Sequence, residues 1–195
     1  MLGKLRERYQ KAMIPVGTFF SKTGLSPNVL TAIATIISLL SGIAFYMRIL
    51  WGGVLLIFLG GFFDMLDGAV ARASGRVTRF GAVLDHVLDR YAEYFILIGI
   101  ALGGYMDWFW AAFALFGMVM ASFTRAKAES VGGLKSCTVG IAERQEKLAL
   151  IIGGAVIENW VTGALAVSVV FAGILSHITV IQRLAYTRDQ TEENG

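Results

Sequence analysis

Four carboxylates stand between residues 64 and 89, in the run DMLDGAVARASGRVTRFGAVLDHVLD, at the ends of two otherwise apolar segments. On helices, Asp64 and Asp67 fall at i and i+3, and Asp85 and Asp89 at i and i+4, so each pair projects from one face. A short turn between the helices can bring the two pairs together. Carboxylates in or beside hydrocarbon are too costly to leave unpaired, and ionisable residues in a membrane segment are by default functional. Something cationic must sit among them. Two divalent ions would match four negative charges, and hard oxygen donors suit magnesium or manganese, whereas zinc favours His and Cys. The competing reading pairs the aspartates with Arg72, Arg76, Arg79 and Arg90 in a salt-bridge network and needs no metal.

The elements that must position these groups follow from composition. Of 195 residues, 56% are hydrophobic and only 16% charged, outside the balance of a soluble domain. The expected fold is an all-α integral membrane protein: six transmembrane helices preceded by an N-terminal amphipathic interfacial helix, forming one domain over residues 1–195. Lys4, Arg6, Arg8 and Lys11 alternate with Leu2, Leu5, Tyr9, Met13 and Val16, which predicts a juxtamembrane helix over Met1 to Phe20, bent or ended by Pro15. Ser26 and Pro27 offer a cap and a first helical residue for a span over Asn28 to Met47. Further spans are expected at Ile49 to Ala71, Ala82 to Leu102, Trp108 to Ala128, Leu148 to Ile157 and Trp160 to Ala185, with a polar, frayed tail over 188–195.

Connections rich in Lys and Arg alternate with connections carrying only Arg48, Asp107 and Glu158. The positive-inside rule then puts both termini and the aspartates on the cytoplasmic side of the cell membrane, where nucleotides and magnesium are found. The net charge of +3 is unevenly spread and does not imply nucleic-acid binding. A single cysteine, Cys137, excludes an intrachain disulfide and a cysteine metal cluster.

A second polar concentration reads SFTRAKAESVGGLKSCTVGIAERQEK, from Ser122 to Lys147, with Arg183 a further cation near the end of the sixth span. Orientation alone accounts for some of these charges. So many near one mouth also suit an anionic acceptor such as a phosphorylated polyol. A cation transporter or a metal-binding membrane scaffold could also use intramembrane aspartates, but would leave the spacing of Gly68, Ala71, Arg72 and Gly81 unexplained.

Written as D-x2-D-G-x2-A-R-x8-G-x3-D-x3-D, the acidic stretch resembles the signature of the CDP-alcohol phosphotransferases, membrane enzymes that make phospholipid headgroups. The stretches around Thr78 to Asp85, Arg125 to Glu129, Ala142 to Lys147 and Val180 to Arg183 resemble the branch that makes phosphatidylinositol phosphate or archaetidylinositol phosphate. The resemblance implies transfer of a lipid phosphoryl group from a CDP-linked lipid to a phosphorylated polyol, inositol 1-phosphate, with release of CMP; glycerol 3-phosphate is the alternative acceptor. It implies two Mg2+ or Mn2+ ions held by Asp64, Asp67, Asp85 and Asp89, with Asp89 also the base for the acceptor hydroxyl. Nucleotide contacts fall to Asn28, Thr31, Asp67, Gly68, Arg72, Thr78 and Gly81. The acceptor phosphate falls to Arg125, Lys127, Arg144 and Arg183, and a homodimer is expected. His86, beside Asp85, is read as packing or as a hydrogen-bond partner to the ligands.

Overall fold

The computed structural model describes residues 13–192 of the chain, and these are all-helical apart from connections. Residues 13–21 are helical (α1), followed by α2 (Pro27–Tyr46), α3 (Leu50–Ala73), α4 (Arg79–Leu102), α5 (Trp108–Ser130), α6 (Arg144–Ile157) and α7 (Ala164–Glu192). Most of the expected juxtamembrane helix, residues 1–12, lies outside the described residues. Pro15 does not end the helix, which runs on to residue 21. Proline withdraws only its own N–H, and the Thr18 hydroxyl bonds the Ile14 carbonyl at 2.8 Å.

Four of the helices, α2, α3, α5 and α7, are long and apolar enough to cross a membrane. The other two expected spans depart from that pattern for different reasons. α4 has the length, 24 residues, but carries Asp85, Asp89, Arg90 and Glu93 among its first fifteen. α6 has 14 residues, about 21 Å of helix against a hydrocarbon core of about 30 Å. It starts earlier than expected because Glu143 and Glu146 form a capping box ahead of it. The sixth expected span starts later, at Ala164 rather than Trp160. There the Glu158 carboxylate accepts the backbone N–H groups of Gly163 at 3.0 Å and Leu165 at 2.8 Å, holding residues 158–163 as a turn. The predicted tail is helical as far as Glu192.

The chain divides into two compact units. One is built from residues up to Ala44 together with Gly52–Ile96, the other from Phe45–Trp51 and residues from Leu97 onward. In the first unit, Leu30, Leu66 and Val70 form a buried cluster, and Met13, Val16 and Phe20 of α1 pack onto it with Phe62 and Phe63. α1 crosses α3 so closely that a Cβ on Gly17 would lie 2.7 Å from the Ala69 carbonyl. α2 meets α4 through Gly42, whose missing side chain would overlap the Phe95 carbonyl. In the second unit α7 packs along both α5 and α6. Small residues set these approaches as well, with Gly173 against Ala114 of α5 and Gly154 against Ser168 of α7. Gly60 likewise faces Ser38 of α2, whereas Gly61 and Gly153 face open space.

Candidate active site

The acidic stretch occupies the last turns of α3, the connection 74–78 and the first turns of α4. Gly75 carries the turn at φ 65°, a left-handed conformation that costs glycine little. Thr78 caps α4, its Oγ1 accepting the Gly81 N–H at 2.9 Å. Asp67 is buried, at 7% exposure, while Asp64, Asp85 and Asp89 are half-buried. The charges of both Asp85 and Asp64 act on Asp67, so the two pairs, separate in sequence, are near one another in space. This is the approach that the spacing on two helices predicts.

Thr31 of α2 enters the same cluster. Its hydroxyl donates to Asp67 Oδ2 at 2.6 Å, a short bond to a charged acceptor, and also lies 3.1 Å from the Pro27 carbonyl. A residue expected at the nucleotide is thus engaged in orienting a carboxylate. Asn28, one turn earlier, stands over α4: a Cβ on Gly81 would come within 3.2 Å of Asn28 Oδ1 and 3.0 Å of Thr78 Oγ1. Asn28, Thr78 and Gly81 therefore form one polar patch. Gly68 and Arg72 form another, the guanidinium folding back over the bare glycine so that an added Cβ would meet Nη1 at 3.1 Å.

Of the arginines in the competing salt-bridge reading, Arg90 approaches Asp89 at 3.7 Å and makes a shorter bridge, 2.8 Å, to Glu93. Glu93 is buried at 3% exposure and was not read from sequence, where it sits within an expected span. Its offset of three from Arg90 was the available signal. His86 lies beside the carboxylates, its ring nitrogen within 4.8 Å of carboxylate oxygens of Asp85 and Asp89. Asp85, His86 and Asp89 bring their donor atoms within 4.8 Å of one another, with Asp67 and Asp64 in the same neighbourhood, a mostly oxygen set that fits a hard divalent cation.

The second unit holds the expected phosphate-binding cations. Arg125 Nε donates to Glu129 Oε1 at 3.0 Å, and the same oxygen accepts the Cys137 N–H at 3.0 Å. The Lys127 ammonium stands 5.6 Å over the Phe123 ring. Arg183 is buried, with Nε bonded to the Val139 carbonyl at 2.9 Å and Nη1 bonded to the Ala121 carbonyl. Its charge is felt together with those of Arg125, Glu143 and Glu129, which brings these groups into one neighbourhood. Arg144 is the first residue of α6, directly after the connection that Arg183 anchors.

A family model described as CDP-alcohol phosphatidyltransferase matches residues 24–181, from just before α2 into α7. The chain belongs to this family. Among relatives of the same CDP-alcohol phosphatidyltransferase type, it is 38% identical to the archaetidylinositol phosphate synthase of Pyrococcus horikoshii, over 98% of this chain and 99% of that one. It is 34% identical to the phosphatidylinositol phosphate synthase of Cutibacterium acnes, over 98% and 100% of the two chains. Its fold matches the crystal structure of Mycobacterium tuberculosis phosphatidylinositol phosphate synthase with CDP-DAG bound. The TM-score is 0.80 at 30% identity, covering 91% of this chain and 94% of that one. The same mycobacterial enzyme with manganese and citrate also gives a TM-score of 0.80, over 90% and 88% of the two chains. The chain is therefore a CDP-alcohol phosphotransferase of a membrane-enzyme fold.

Proposed function

We propose that this enzyme transfers the phosphatidyl or archaetidyl group of a CDP-linked lipid to a hydroxyl of inositol 1-phosphate and releases CMP. The observation that carries this reading is resemblance along nearly the whole chain to synthases of those two names. The acceptor oxygen forms a bond to the lipid-side phosphorus, the bond from that phosphorus to the bridging oxygen breaks, and CMP leaves with that oxygen. Asp89 takes the acceptor's hydroxyl proton, working by position more than by matched acidity.

Asp64, Asp67, Asp85 and Asp89 would hold two Mg2+ or Mn2+ ions, and a related enzyme was crystallised with manganese. When bound, such ions supply positive charge to diphosphate oxygens and to the leaving phosphate. Asn28, Gly68, Arg72, Thr78 and Gly81 line the nucleotide, and Thr31 serves it through Asp67. Arg125, Lys127, Arg144 and Arg183 hold the acceptor phosphate. In the membrane all of α2 to α7 cross, α4 and α6 included. The stretches Lys4 to Lys22 and Arg183 to Arg188 lie on the cytoplasmic side of the cell membrane, and the protein works as a homodimer. The alternation of basic and sparsely charged connections supports this topology.

The test is a panel of acceptors offered to purified enzyme with CDP-diacylglycerol or CDP-archaeol and Mg2+ or Mn2+. CMP release is measured, and the lipid product is identified by mass spectrometry. Turnover with inositol 1-phosphate and none with unphosphorylated inositol is the expected result. Turnover with glycerol 3-phosphate alone would assign a different headgroup to the same reaction, and CMP release independent of metal would remove the role given to the aspartates.

A further inference from the structure

Glu129 sits where two cation-bearing stretches of the second unit are fastened. Its Oε1 accepts from Arg125 Nε, one turn earlier on α5, and from the Cys137 N–H, eight residues later, each at 3.0 Å. Both side chains are partly exposed, 41% for Arg125 and 34% for Glu129, so an isolated helix pair of this kind would contribute little to stability. The second bond makes the arrangement more than a helix pair. A bond taken through Nε sets the plane of the guanidinium and does not use the Nη pair, one of the two edges that can grip phosphate oxygens two at a time.

The Cys137 bond is one end of a strap formed by residues 131–143. At the other end the Ile141 N–H donates to Gln182 Oε1 at 3.0 Å, and Arg183 Nε holds the Val139 carbonyl at 2.9 Å, both from α7. Gly140 lies against Thr179 at φ 148°, where a Cβ would overlap the Thr179 methyl. Cys137 and Ala142 are buried beneath the strap, at 0% and 3% exposure. Arg144 follows at once as the first residue of α6. One carboxylate therefore both orients Arg125 and pins the α5 end of the segment whose last residues lead into Arg144.

We propose that Glu129 is a positioning residue for acceptor recognition, holding Arg125 directly and Arg144 through the strap. This rests on the reading in which those arginines bind the acceptor phosphate. It acts on the acceptor and not on the CDP-lipid, because it fastens Arg125 of the basic set and a strap that Arg183 also holds and that leads into Arg144.

The test uses the full chain in detergent or nanodiscs, with CMP release measured while inositol 1-phosphate and CDP-lipid are varied separately. Glu129→Gln keeps an oxygen for the Cys137 N–H and removes the charge that faces Arg125. The acceptor KM is expected to rise about tenfold, with kcat and the CDP-lipid KM within about twofold of the parent. Glu129→Ala removes both bonds and is expected to raise the acceptor KM further. In an Arg125→Ala background, Glu129→Gln should have a smaller effect than in the parent, because their shared bond is already gone. CDP-lipid binding reports whether each variant is folded. The proposal is overturned if Arg125→Ala raises the acceptor KM while Glu129→Gln leaves it unchanged, or if Glu129→Gln lowers Tm and kcat without touching it. If Arg125→Ala leaves the acceptor KM unchanged as well, the reading of these cations as the phosphate site fails, and the proposal with it.

Discussion

The acidic and basic regions of this enzyme are assembled by different means. The aspartates take their places from helix geometry: offsets of three and four residues set each pair, a five-residue connection joins the two helices, and the Thr31 hydroxyl ties Asp67 from α2. The cations take theirs from contacts distant in sequence. Arg183 bonds backbone 44 and 62 residues away, and Gln182 reaches back 41 residues to Ile141. Helix backbone gives the carboxylates a fixed mutual spacing, as the proposed metal site requires. A strap laid across helix ends can be retuned by changing its fastenings, which suits the acceptor site proposed there.

Substitutions sharpen this contrast, beginning with the largest expected effect. Asp89→Asn should lower turnover by about a thousandfold or more while CDP-lipid binding stays measurable, as followed by single-turnover CMP release and a binding assay. Binding lost together with turnover would assign Asp89 to ligand-holding alone and leave the base unidentified. Asp67→Asn should weaken Mn2+ and CDP-lipid binding together, by about a hundredfold in calorimetric titration, because it removes the negative charge of a buried side chain that the Thr31 hydroxyl orients. Separate effects on the two would break the idea that metal and nucleotide share one cluster.

In the basic region the expected effects are smaller and confined to the acceptor. Arg144→Ala and Arg183→Ala should each raise the acceptor KM by about thirtyfold with CDP-lipid affinity intact. Arg183→Ala should also lower Tm, since it abandons the Val139 and Ala121 carbonyls. A fall in CDP-lipid affinity instead would erase the distinction between the two regions. Thr31→Val should have the mildest effect, reducing Mn2+ affinity about tenfold without changing the acceptor KM. An unchanged Mn2+ affinity would reduce Thr31 to a helix-packing residue.

Much of the acidic site was legible because it is local. Asp64, Asp67, Gly68, Arg72, Gly81, Asp85 and Asp89 carry their relation in their spacing, and the helices on which they fall were expected within a few residues. Glu93 escaped notice because an apolar run absorbed it, and its partnership with Arg90 appears only once α4 is a helix with a buried face. The fastening role of Glu129 escaped for a different reason. Its partner Cys137 sits in a connection with no periodicity to read.

By itself the sequence determined that this is a helical membrane enzyme, the family to which it belongs and the side chains of its acidic cluster. Hydrophobic run length and short-range spacing act within one or two turns of chain. The tertiary structure decided that Thr31 serves Asp67 and that Arg183 grips backbone carbonyls. It also decided that Glu129 joins an arginine to a strap, because a hydrogen bond across tens of residues depends on how helices meet, and no local pattern encodes that.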